Sequence, residues 1–282
     1  MAKATILETG FYTSIQDEGR FHYRHLGIPH SGCMDQDMAG NANALLGNPA
    51  ESAILEMIIE GATIKFQEPT HIIVMGKIDT LLLNNLKINA NQLIKINALD
   101  ILNIGRVTHG HFIYLAIQGG WQTQMVLGSR SMYSGITSNG FLKKDQTLEY
   151  HSTLNTSKSF PIKALNEGGT IKVFPGPEYA DLPDSWKERL KFEEFELSAS
   201  WNRMAYSFAT NVSVDIPQIK TAPVLPGTVQ LTPTGNLNVL MRDAQSTGGY
   251  PRILQIADND LNRLCRIQTG DKIFLEIENY TV

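Results

Sequence analysis

Cysteine is nearly absent: the 282 residues hold two, Cys33 and Cys265. A pair so sparse describes no disulfide framework, and neither residue sits in a CxxC or beside a convincing His and Asn set, which argues against a thiol nucleophile. Arithmetic leaves a Cys33–Cys265 disulfide open, while free buried thiols are the plainer expectation. Long hydrophobic runs are missing too. No apolar stretch nears the roughly 18 residues of a membrane span, and the opening MAKATILETG lacks the continuous apolar core of a signal peptide. Charge of one sign is also scarce. Lys and Arg number 24 against 28 Asp and Glu, a net charge of −4 with no basic run, which removes the footprint of a nucleic-acid or anionic-membrane binder. These absences lead us to expect a soluble, cytoplasmic chain whose partners are small molecules or proteins.

What is present is enough to fold. Hydrophobic residues make up 42% and charged residues 18%, and 282 residues suit two domains at about 150 residues each. Short β-branched and aliphatic runs dominate: THIIVMG, LLLNNLKIN, HFIYLAIQGG, GTIKVFPG and DKIFLEI, bounded by Gly, Asn, Asp or Pro. That pattern predicts a mainly β fold of the barrel or sandwich type. Helical spacing occurs in three short places only: Met34 to Leu46, stopped by Gly47-Asn48-Pro49; Asp184 to Phe195, with Asp184 or Ser185 as cap; and a stretch from Asp258 through Cys265. ALDILNI, KKDQTLEY and TGDKIFLEI each set an Asp in a turn directly before an alternating strand, where its carboxylate can accept backbone N–H groups. The Ser-, Thr-, Asn- and Lys-rich segment His151 to Gly169 marks the domain boundary, giving lobes 1–165 and 166–282.

Chemistry-bearing residues gather in a few motifs. QDEGRFHYRHLGIPHSGCMD brings together Gln16, Asp17, Arg20, Arg24, His25, Ser31 and Asp35, with Gly19, Gly27 and Gly32 permitting the turns that aim them. Arg20 suits a carboxylate or phosphate, because a guanidinium forks around two oxygens. RDAQSTGGYP offers the Thr247 hydroxyl and the Gly248 and Gly249 N–H groups as an anion cradle, or simply a Gly-Gly hairpin. LGSRSMYSG adds Arg130, and WNRMAYSF sets Arg203 in an expected strand. His109 and His111 of HGH share a strand face by alternation, yet without a third ligand at metal spacing no metal site is assigned. The chain has no GxxxxGK[ST] phosphate loop, no GxSxG elbow and no Met-Lys-Met segment to carry covalent biotin.

Taken in order, QDEGR, YRHLGIPHSGCMD, ANALLGN, AIQGGW, LGSRS, NRMAYSF and QSTGGYP resemble the allophanate hydrolase subunit 2 family, also described as biotin-dependent carboxyltransferase-like proteins. Free-standing bacterial members of this length resemble the C component of 5-oxoprolinase, and fused relatives form half of the carboxyltransferase region of urea carboxylase. The resemblance implies two cyclophilin-like β-barrel lobes. It also implies two partners from the same system, a B-type and an A-type protein, with which such chains open 5-oxoproline to glutamate while hydrolysing ATP with Mg2+, the nucleotide site falling in this chain or a partner. Three positions depart from the family pattern: His22 and Leu99 stand where Gly is usual, and His111 stands near a usual Arg.

On that resemblance, Arg20, Arg130 and Arg203 with the Thr247–Gly249 backbone are expected to bind anionic groups, and Gln16, Asp17 and Tyr250 to orient the lactam. Arg24, His25, Ser31 and Asp35 complete the expected wall. Such a step needs cations and N–H donors around transferring oxygens, because positioning and charge stabilisation dominate phosphoryl transfer. A carboxyltransferase component served by a biotinylated partner would use much the same groups. A regulatory protein that binds a kinase-inhibitor-like partner is the third reading.

Overall fold

The computed structural model describes residues 1–153, 163–166, 169–210, 212–214 and 216–278. Most of the boundary segment His151 to Gly169 therefore lies outside the described residues. The chain forms two units: residues 1–21 with 31–165, and residues 22–30 with 166–282. The polar stretch near the N-terminus is thus divided, its middle packing with the second unit.

The first unit contains β1 (Ala2–Glu8), β2 (Tyr12–Gln16), α1 (Gln36–Leu46), β3 (Ile54–Ile58), β4 (Thr63–Phe66), β5 (Thr70–Met75), β6 (Leu81–Leu83), β7 (Leu86–Lys87), β8 (Leu93–Ile96), β9 (Ile101–Ile104), β10 (Phe112–Ile117) and β11 (Thr147–Tyr150). One sheet runs β11-β1-β4-β9-β6-β7 and the other β2-β3-β10-β5-β8. The first sheet alternates: Ala4, Ile6, Ile64, Phe66, Leu102 and Ile104 point inward, while Lys3, Lys65 and Asn103 do not. β3, β5 and β10 are buried along their whole length. A strand covered on both faces is apolar along most of its length, and the exception in β3, Glu56, accepts the Met34 N–H and the Tyr114 hydroxyl. One face, Leu55, Met57, Ile72, Val74, Ile113 and Leu115, meets the first sheet in the core, and α1 packs against β5 and β10.

α1 starts two residues later than its apolar spacing predicts. Asp35 caps it by accepting the Asp37 and Met38 N–H groups, and Met34 stays outside. Gly47, at φ 69°, ends it by donating to Ala44 and Asn43, and Asn48 also donates back to the Asn43 carbonyl. The Asp-led turns behave as expected at two strand starts. Asp100 accepts from Asn97 N–H at 2.7 Å, and Asp271 from Gln268 N–H at 2.9 Å. Asp145 differs: its backbone is left-handed at φ 65° and its own N–H donates to Ile6. Two of the family departures fall on left-handed backbone as well, His22 at φ 72° and Leu99 at φ 66°. Glycine takes that conformation freely, and any other residue there carries strain of about 1 kcal/mol.

The second unit comprises β12 (Gly169–Pro175), α2 (Asp184–Phe192), β13 (Phe195–Trp201), β14 (Ala205–Phe208), β15 (Ala222–Pro223), β16 (Thr228–Leu231), β17 (Leu237–Leu240), β18 (Thr247–Gly248), β19 (Arg252–Ile256), α3 (Asp258–Leu264) and β20 (Lys272–Ile277). Seven strands close into a barrel, β12-β19-β16-β17-β14-β13-β20, whose seam is the parallel pair β12 and β20. Closure leaves no open edge, and Ile171, Val173, Leu197, Phe208, Val229, Val239 and Leu275 are buried on these strands. The mainly β class expected from the sequence is the observed one. Three local expectations are corrected. α2 ends at Phe192 and is capped by Pro183 without a side-chain bond, so neither Asp184 nor Ser185 caps it. His109 and His111 lie in the bend before β10, where Gly110 at φ 77° breaks strand alternation. Arg203 sits in the turn between β13 and β14, because Asn202 Oδ1 accepts the N–H groups of both Met204 and Ala205 and folds the chain back there. Both cysteines are buried thiols outside any disulfide.

Candidate functional site

In the first unit, the end of β2 and the loop after it meet the LGSRS loop. Asp17 joins them. Its Oδ1 accepts from Gly19 N–H (2.9 Å), Ser129 Oγ (2.6 Å) and Ser131 Oγ (2.5 Å), and its Oδ2 from Arg130 N–H (2.6 Å). Three donors fill Oδ1 and one meets Oδ2, so the carboxylate fixes the loop and keeps one acceptor site on Oδ2. Arg20 is fully buried and donates to the carbonyls of Ser131 (2.6 Å) and Val126 (3.4 Å), pinning the same loop from the other end. Gln16, also buried, donates to Ser14 Oγ and the Met132 carbonyl, which leaves its Oε1 without a partner among the described residues. Ser31 Oγ is likewise buried without one, on backbone at φ 56°. Asp35 is taken up by the α1 cap. A cavity of about 270 Å³ is lined by Asp17, Glu18, Phe21, Cys33, Gln36 and Asn43. The Arg130 side chain lines a different cavity, with Gln122 and Thr123.

The second unit holds the other expected residues. Residues 24–26 form a single helical turn closed by Gly27 at φ 78°. From it Arg24 donates to Val224 O (2.6 Å), Gln245 O (2.7 Å) and Ala244 O (3.4 Å). Burial pushes its pKa below the ordinary value, yet a guanidinium remains charged at any physiological pH. His25 is exposed beside it. Arg203 is buried and forms a two-pronged ion pair with Asp243, at 2.7 and 3.0 Å. Thr247 and Gly248 pair with Pro223 and Ala222 as a two-strand bridge, which stands in place of a hairpin across the Gly-Gly pair. A Cβ on Gly248 would fall 2.4 Å from Gln230 Nε2, so a larger residue there would have to turn the Gln230 amide aside. Gly249 O accepts from Ile219 N–H, and the Tyr250 side chain is exposed.

Sequence reasoning missed His30 and Arg242, although both stand in the quoted motifs. Arg242 donates to Asn262 Oδ1 at 2.8 Å and, like Arg24, has no carboxylate partner among the described residues. His30 is half-buried. Burial first, and then the charges of Arg24, Arg242 and His22, hold its pKa below the ordinary histidine value. Two unneutralised arginines with histidines beside them make this patch of the second unit a place where an anion would be stabilised. The sign for stability follows. Below an ordinary histidine pKa of about 6.5 the unfolded chain takes up a proton that folded His30 resists, so this contribution is whole above that pH and is lost as pH falls below it toward the lowered folded value. His30→Gln is expected to flatten the fall of the urea midpoint between pH 7 and 5; an unchanged slope would remove His30 as its source.

The two-unit β fold with these ordered loops defines the chain as a carboxyltransferase-type protein. It belongs to the family described as carboxyltransferase domain, subdomain A and B, whose model matches residues 26–277. It is 31% identical over 275 residues to the C component of the 5-oxoprolinase of Escherichia coli, covering 95% of this chain and 89% of that one. It is 29% identical to the urea amidolyase of Lachancea kluyveri, over 95% of this chain but 16% of that much longer one. Among solved structures, TTHA0988 superposes with a TM-score of 0.85 at 25% identity, covering 98% of this chain and 55% of that one. The chain thus spans about half of that structure's length.

Proposed function

We propose that this chain is the C-type component of an ATP-dependent 5-oxoprolinase, opening 5-oxo-L-proline to L-glutamate in a cytoplasmic hetero-oligomer with A-type and B-type partners. One observation carries the reading. The match to a 5-oxoprolinase component covers nearly all of both chains, whereas the match to urea amidolyase covers a small part of a fused enzyme. Among the described residues no group of three His, Cys, Asp or Glu is placed to hold a metal ion, and the Thr247–Gly248 bridge is paired to backbone. Magnesium carried by a nucleotide needs only one or two protein carboxylates, so the nucleotide falls on this chain or a partner, and no step is routed through ATP on this chain.

What the chain would supply is charge and order. A lactam carbonyl is a poor electrophile, and ring opening builds negative charge on oxygen that fixed cations stabilise without reorganisation. Arg24 and Arg242 provide such cations in the second unit. Thr247 and Tyr250 are the exposed groups available to orient a substrate, with His25 beside Arg24. In this reading Gln16, Asp17, Arg20, Asp35 and Arg203 hold the loops in place, and Ser31 supplies a left-handed turn. The experiment is ADP release dependent on 5-oxoproline by the complex co-purified with its candidate A-type and B-type partners, repeated with this chain omitted. Loss of activity on omission is expected, and unchanged turnover would overturn the proposal.

The family's description favours a second reading, a carboxyltransferase component served by a biotinylated partner. A biotin-carrying protein in the native complex, detected by streptavidin blot, together with no lactam-dependent ADP release, would establish it.

A further inference from the structure

The two sheets of the first unit leave β2 and β11 as edge strands. Residues 121–146 run along both edges instead of a strand. Met132 and Leu142 N–H groups donate to Ile15 and Thr13 of β2, and Gln122 N–H donates to Glu149 of β11. Irregular chain in a strand's place packs less closely, and a cavity of about 290 Å³ opens beneath it. That volume lies at the small end for ligand sites, which suits a metabolite of about ten heavy atoms and not a nucleotide.

Its wall is polar and prepared. Arg130 reaches it from the LGSRS loop, its backbone fixed by Asp17. Among the described residues the guanidinium makes one side-chain bond, Nη2 to Gln122 Oε1 at 3.3 Å. The Gln122 amide is itself held by donating to the carbonyls of Gly119 (2.8 Å) and Gly120 (3.0 Å), which turns its oxygen toward Arg130. A neutral group therefore aims the cation without neutralising it, and four of its five N–H donors stay available. Thr123 also lines the cavity, and its Oγ is buried with no partner among the described residues. The other charges on the wall are Lys3 and Glu149, which face each other across β1 and β11 and offset one another. The excess is one positive charge, on a planar fork.

From this we infer that the cavity walled by Arg130, Gln122 and Thr123 binds a small monoanionic carboxylate, with Arg130 gripping both carboxylate oxygens. One cation matches a carboxylate better than a dianionic phosphate.

The test is calorimetric titration of the full-length chain, without its partners, using 5-oxo-L-proline, L-glutamate, inorganic phosphate and the uncharged lactam 2-pyrrolidinone as probes. At least one of the two acids should bind saturably and more tightly than phosphate, and 2-pyrrolidinone should not bind. Arg130→Gln should weaken the acid at least tenfold, about 1.4 kcal/mol, and Arg130→Lys should not restore it. Should Arg130→Gln melt early, Gln122→Glu sets a carboxylate against the Arg130 guanidinium and should still weaken binding several-fold. No saturable binding of either acid, equal binding of the uncharged lactam, tighter binding of phosphate, or unchanged affinity in folded variants would each overturn the inference. The readout is binding to this chain alone, so its failure leaves the oxoprolinase proposal to be decided separately by ADP release.

Discussion

Asp17→Ala is expected to destabilise the first unit by about 3 kcal/mol, because it removes the acceptor of four hydrogen bonds in a partly buried place. The two serine hydroxyls can turn toward other acceptors. The N–H groups of Gly19 and Arg130 cannot, and each left dry costs about 1 kcal/mol or more. For a unit of this size such a loss lowers the melting temperature by roughly 6–12 °C. Asp17→Asn should cost less. Its amide can place oxygen on the Arg130 N–H and NH2 toward hydroxyls that rotate to accept, so the main loss is the Gly19 bond and the charge, about 1–2 kcal/mol. The order Ala worse than Asn, read by thermal melting, is the outcome that identifies a stitch. Equal stability of wild type and both variants would mean that the Asp17 carboxylate holds nothing, and would return it to the substrate.

That result also bears on what the sequence could show. Many strands and turns were legible because their causes are local: alternation in β1 and β20, and Asp carboxylates accepting N–H groups three residues back, whereas LLLNNLKIN reads as one run that Asn84 and Asn85, at φ 51° and 66°, break into β6 and β7. α1 was legible too, though the apolar spacing starts it at Met34 and only the backbone shows Asp35 as its cap. Asp17 was legible as important and not as a stitch, since Ser129, Arg130 and Ser131 lie more than 110 residues away and periodicity carries no trace of them. Arg24 is similar. Its acceptors are main-chain carbonyls some 200 residues on, and a carbonyl has no letter in the sequence.

The stretch from Ser14 to Gly32 reads as one wall because its polar residues are adjacent. Adjacency in sequence ends at Phe21, where the chain passes to the second unit, and resumes at Ser31. Gly19, Gly27 and Gly32, all at positive φ, are the points at which the backbone makes that excursion. At Gly32 a Cβ would lie 2.8 Å from the Glu18 carbonyl oxygen, so the two ends of the excursion close on each other only with glycine there. The composition of the stretch is therefore explained twice, by turns that cross between units and by side chains that serve each unit separately.

Arg203→Ala is expected to cost about 3–5 kcal/mol, the range for removing one member of a buried ion pair. Arg203 and Asp243 are 7% and 8% exposed, and the alanine variant leaves the Asp243 carboxylate dry with no counter-charge. The pair also fastens backbone: Asp243 N–H donates to Arg203 O at 2.9 Å, joining the β13–β14 turn to the segment after β17. Arg203→Lys keeps the charge but not the fork, and should lose about half as much. The double variant Arg203→Met with Asp243→Leu should recover to within about 1 kcal/mol of wild type, because it removes both desolvation costs together and keeps similar volume. Urea unfolding of the three variants decides this. A fully stable alanine variant would mean that the pair contributes nothing. A stable double variant whose assembled complex has lost lactam-dependent ADP release would show that Arg203 also meets an anionic ligand, since the pair's contribution to folding would already have been replaced.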